Sequence, residues 1–198
     1  MPGRAAARLL VCLLAGLACM PSGSRPGGSA VNPELVVWQF ARGYGGPGGA
    51  RLARLFLPEA DVRLAGLGTS ARGRRGIARL LDYARAVEAS LSLSGLERSG
   101  DTVTCRLAED NAWLRALGAD SLRYAARFVF RGARIADAEF RLLPGSKSAL
   151  GRTAMPFARW VRKQEPGAIE QLLPGGRPEL TGANARRLRE LISRWRAN

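Results

Sequence analysis

The chain has 198 residues, 46% of them hydrophobic, which suits one domain with a real core plus extensions. Its formal charge is +15, almost wholly from arginine, since Lys147 and Lys163 are the lysines. The arginines are scattered and not gathered in a stripe, so a solvated basic surface is expected and no nucleic-acid partner. Histidine is absent, which excludes a Ser-His-Asp triad, a Cys-His dyad and any His-containing metal site.

The N-terminus has the pattern of an export signal. Arg4 and Arg8 precede an apolar run from Leu9 to Ala18 that is too short to span a bilayer. A signal peptide over residues 1–18 is expected, with cleavage after Ala18. Gly16-Leu17-Ala18-Cys19 resembles a bacterial lipobox, although Gly16 stands where Leu is usual. Cys19 is then the expected lipidation site and membrane anchor, with a periplasmic or outer-membrane location. Plain secretion with an incidental Cys19 is the alternative. Residues 19–31, rich in Pro, Gly and Ser, read as a flexible tether.

Asn32-Pro33-Glu34 is a helix start, with Asn as N-cap and Pro in the first turn. Val37, Phe40, Ala41 and Tyr44 recur at helical spacing. After the break at residues 45–49, a second helix is expected with Leu52, Leu55 and Phe56 inward, ended by Pro58. A strand is predicted from Asp61, a polar loop over 66–73, and a helix from Gly76 carrying Ile77, Leu80, Leu81, Ala84 and Val87. Four sheet segments follow. Leu91 and Leu93 alternate with serines; Val103, Cys105 and Leu107 alternate with polar residues. Asn111 to Gly118 forms a short helical insertion with Trp113. Leu122, Tyr124, Ala126, Phe128 and Phe130 share one face of a long strand, and Ala136, Ala138, Phe140 and Leu142 one face of the last. Cys105 is expected to be a buried, inert thiol. Residues 144–198 read as a helical extension, docked on the domain through Leu188, Leu191, Ile192 and Trp195.

Four stretches, in this order, carry a family resemblance: Phe56 to Val62, Gly73 to Ile77, Glu109 to Gly118, and Phe128 to Ile135. The succession over residues 32–143 resembles the nuclear transport factor 2-like superfamily, in particular its SnoaL-like bacterial branch. The resemblance implies an α+β fold in which a conical, curved, mixed or antiparallel sheet wraps on helices around a pocket. Some members are isomerases, cyclases or hydrolases, and others only bind.

For a proton-transfer enzyme the resemblance points to Asp61 as acid or base, with Tyr83 and Tyr124 as donors. Trp38, Tyr44, Trp113 and Phe128 are expected pocket residues. Of the adjacent carboxylates Glu109 and Asp110, strand alternation aims only one inward. No metal and no cofactor are expected. A small apolar ligand is the expected partner, and the sheet offers a surface through which two copies could pair. A non-catalytic binding or accessory role comes first. An isomerase, cyclase or hydrolase built on Asp61 comes second, and a cell-envelope interaction module third.

Overall fold

The computed structural model describes residues 31–197. The expected signal peptide, Cys19 and all of the expected tether but Val31 lie outside the described residues. Helix α1, Pro33–Gly43, starts where Asn32 accepts a hydrogen bond from the Glu34 N–H at 2.9 Å, satisfying one of the donors a helix start leaves open. It buries Val36, Val37, Phe40 and Ala41. A short α2, Gly49–Leu52, runs into a 3-10 turn over Ala53–Leu55.

Strand β1, Phe56–Ala65, begins earlier than the expected Asp61. Phe56 therefore opens a strand and does not close a helix. Phe56 pairs with Ile135 but Asp61 with Asp137, so residues 57–60 bulge out of the ladder. Pro58, which has no N–H to donate, sits in that bulge, where a strand tolerates proline. The expected loop over 66–73 contains strand β2, Thr69–Arg72, paired antiparallel to β1. Helix α3, Gly73–Ala86, opens three residues before Gly76, since its first turn carries no apolar residue to mark it.

Strands β3, Ser90–Ser99, and β4, Thr102–Asp110, form a hairpin. Helix α4, Ala112–Leu117, leads to β5, Leu122–Arg131, and β6, Arg134–Leu142. The sheet order is β2-β1-β6-β5-β4-β3, and β1 and β6 pair in parallel. Bulges in β1, in β3 and between β5 and β6 bend the sheet. The last shifts the register, so Ile135 is buried in the place expected for Ala136. The inner face holds Val103, Cys105, Leu107, Tyr124, Phe128 and Phe140. Phe40 contacts Phe56, Phe128 and Phe140, with ring centroids 5.7, 5.7 and 6.0 Å away. Burial pushes the Cys105 thiol up to about 11, so it stays protonated and unreactive.

Three further helices make up the extension: α5, Pro144–Gln164; α6, Ala168–Leu172; and α7, Gly182–Arg196. They build a second core from Phe157, Val161, Leu172, Leu191 and Ile192, against Leu117 of α4. Helix α7 lies along α3 and α4. Glu165, after α5, pairs with Arg187 and Arg194 of α7. Arg189 of α7 donates to the Ala86 carbonyl at 2.6 Å and to Glu88 at 3.0 Å. Glu88 has a φ of 54°, a left-handed conformation that ends α3. Among the described residues no helix is long and apolar enough to cross a membrane.

Candidate functional site: a carboxyl and three phenols in an apolar cavity

A cavity of about 440 Å³ lies between the inner face of the sheet, α3, α4 and the extension, within the usual size range of small-molecule sites. Its walls are mainly aliphatic, with Leu64, Leu80 and Leu122 from the domain and Leu150, Leu172 and Leu188 from the extension. Glu179 and Asn184 add polar groups on the side of the extension, and a polar cluster centred on Glu109 interrupts the walls on the side of the domain.

Glu109 falls on the inner face because it continues the alternation of Val103, Cys105 and Leu107 along β4. Both its oxygens are held. Tyr124 Oη donates to Oε2 at 3.1 Å, and Asn111 Nδ2 donates to Oε1 at 3.0 Å. Asn111 is itself buried, and its Oδ1 accepts from the Leu114 N–H at 2.9 Å, capping α4. One side chain thus joins the start of α4 to the carboxyl. Tyr44, just after α1, and Tyr83, on α3, complete the group. Trp113 lines the same space, and its buried Nε1 faces the Tyr83 hydroxyl without full hydrogen-bond geometry.

Burial raises the Glu109 carboxyl above its ordinary range; the bonds from Asn111 and Tyr124 oppose the shift, and the neighbouring Asp110 charge adds to it. Burial, with the Glu109 charge second, raises Tyr44, Tyr83 and Tyr124 as well. The phenols are therefore neutral donors at physiological pH. The arrangement can offer hydrogen bonds to a polar group on an otherwise apolar molecule, or exchange a proton with it through Glu109.

Of the residues singled out from sequence, the fold brings Tyr44, Tyr83, Trp113 and Tyr124 together around the cavity. It does not bring Asp61 to them. Ala60 and Val62 take the inner positions of β1, so alternation turns Asp61 to the opposite face. There it lies 3.9 Å from Arg63 and 3.8 Å from Arg72. Phe128 is fully buried in the aromatic core and does not reach the cavity. Trp38 is 44% exposed, because the adjacent Val37 owns the inward side of α1 and one residue is about 100° of turn. Glu109 was not among the expected site residues, although the period-two pattern from Val103 onward carried the signal. Among the described residues no three acidic or thiol side chains cluster to hold a metal ion.

No family model matches the chain, and no curated protein matches it in sequence. Solved structures do match. A protein of ketosteroid isomerase-like fold from Catenulispora acidiphila, solved with trimethylamine, is 18% identical with a TM-score of 0.51; the match covers 64% of this chain and 96% of that one. A nuclear transport factor 2-like protein of cystatin-like fold from Novosphingobium aromaticivorans is 23% identical, TM-score 0.47, over 60% of this chain and 84% of that one. An epoxide hydrolase/cyclase-like enzyme of salinomycin pyran-ring formation is 13% identical, TM-score 0.49, over 57% and 92%. The chain shares the ketosteroid isomerase-like fold of the first of these, α+β with a curved, unclosed sheet. Identities at this level establish fold and leave function to the site.

Proposed function

We propose that the protein binds a small, largely apolar molecule in the cavity, without chemical change, and orients it through the polar cluster around Glu109. The observation that supports this is the state of that carboxyl. Both its oxygens already accept hydrogen bonds, from Asn111 and Tyr124, so it is fastened in place. Trp113 Nε1 lies beside the Tyr83 hydroxyl without full hydrogen-bond geometry, so this pair can turn to a polar group on a ligand. Native mass spectrometry of the purified protein tests the reading. A retained small molecule that is lost when Leu188→Trp fills the cavity supports it. A cavity that takes up no apolar probe, with the two proteins indistinguishable, overturns it.

A second reading, proton transfer beside a carbonyl, is favoured by the raised proton affinity of Glu109 inside an apolar space. The base would then be Glu109 and not Asp61, which faces away from the cavity. Turnover of a ketone substrate that Glu109→Gln abolishes, while the ligand still binds, would favour catalysis over simple binding.

We also propose export and anchoring at Cys19, a reading that rests on Arg4, Arg8, the apolar run Leu9–Ala18 and the residues before Cys19. Intact-mass analysis of the mature protein tests it. A chain that begins at Cys19 with added lipid mass supports anchoring; any other start or an unmodified Cys19 rejects it.

A further inference from the structure

Beside the apolar cavity lies a second cleft of about 270 Å³, bounded by β2, α3 and the segment leading into α7. The two spaces share Leu64, Leu80, Pro178, Glu179 and Leu180 as walls. Their chemistry differs sharply. The cleft carries Arg72, Arg79 and Arg177, together with the hydroxyls of Thr69, Ser70 and Thr181. Glu179 is the acid in the same lining, so positive charge is in excess there.

These arginines are also poorly neutralised. Arg72 reaches Asp61 only at 3.8 Å. Arg79 and Arg177 form no ion pair and no side-chain hydrogen bond among the described residues. Arg63, Arg127, Arg141, Arg187 and Arg189, by contrast, all lie in ion pairs. Two free guanidinium groups beside an apolar cavity make a surface with one oily side and one positive side. Arginine matches carboxylate and phosphate oxygens through its planar fork of donors.

We infer that cavity and cleft form one site for a small anionic amphiphile, its apolar body in the cavity and its carboxylate or phosphate head among Arg72, Arg79 and Arg177. This rests on the binding reading of the cavity and adds the chemical class of the ligand. The shared walls put the two spaces side by side, and on this proposal one molecule reaches past them from one space into the other.

The test is a titration of the full chain with decanoate, decyl phosphate and the uncharged methyl decanoate, followed by calorimetry and by the fluorescence of the tryptophans, Trp113 among them. Both anions should bind at least about tenfold more tightly than the ester, the usual worth of a hydrogen bond to a charged group. The better of the two anions identifies the head group. The double variant Arg79→Gln/Arg177→Gln should cut that preference to what Arg72 still supplies and leave ester affinity unchanged. Added salt should narrow the gap, because the arginines are solvent-exposed. Equal binding of acid and ester by the unaltered protein overturns the amphiphile assignment and leaves the apolar cavity standing. So does an anion preference that is undiminished in the double variant. If none of the three probes binds, both readings fall.

Discussion

Asn111 and Glu109 show how much of the site depends on two side chains. Asn111 is buried, caps α4 and donates to Glu109. Asn111→Ala should cost about 1–3 kcal/mol, from a lost cap and a buried acceptor left with one partner fewer. Chemical denaturation measures it, and a loss near zero would show that the network relaxes without it. Glu109 gives a second prediction, on pH. Its folded-state proton affinity is raised, whereas the unfolded chain releases the proton near pH 4.3, about the ordinary glutamate value. Above that pH the native state holds more protons than the unfolded one, so stability falls as pH rises, until the folded carboxyl also ionises. Glu109→Gln removes this term and can still accept from Tyr124. The stability of the native chain relative to the Gln variant should therefore decline from about pH 4 upward and then level off. Urea denaturation across that range checks it, and a difference that does not vary with pH contradicts the burial of the carboxyl.

At the scale of elements, the extension is part of the site as much as an addition to it. Leucines of α5, α6 and α7 form the cavity wall opposite the sheet, and Leu191 on α7 is fully buried in the second core. Leu191→Ala should cost about 2–5 kcal/mol, from lost burial plus the void left behind. A melting-temperature scan reads this out, and an unchanged value would mean that α7 is not docked. Helix α7 also steadies the end of α3. Arg189 meets the Ala86 carbonyl and the side chain of Glu88, where a non-glycine residue holds a left-handed conformation at some cost. The segment joining α6 to α7 lies in the walls of both spaces. Element identity was readable wherever periodicity was strong, as in α3 and β5. It was misread over residues 56–60 and 66–73. There a proline inside a bulge and a four-residue edge strand produce no sustained pattern, and pairing with β6 and β1 decides the structure.

For the whole molecule, charge and cavity act together. With a formal charge of +15, anions are attracted broadly, so affinity by itself does not locate a site. Thermal stability does. A ligand that binds only the folded state stabilises it by about 2.7 kcal/mol at a hundredfold excess over its dissociation constant. Decanoate at saturating concentration should therefore raise the melting temperature of the unaltered chain clearly, and that of Leu188→Trp little. An equal rise in both proteins would assign the anion to the general surface.

By itself the sequence determined the order of helices and strands apart from β2, the inner faces of β4 and β5, the Asn32 and Gly-turn boundaries and, through them, the α+β class. Those features are local: they follow from periodicity and capping, which a short window of residues contains. It also contained the inward parity of Glu109 and the outward parity of Asp61, since each follows from the alternation of its own strand. Only the tertiary structure decided that Tyr44, Tyr83, Trp113 and Tyr124 converge on Glu109, because they come from separate elements that curvature and bulges bring to one place. It alone showed that Arg72, Arg79 and Arg177 share a cleft. Arg177 stands about a hundred residues along the chain from the other two, and no local pattern encodes a contact at that separation. Such contacts are set by the packing of whole elements around buried apolar surface.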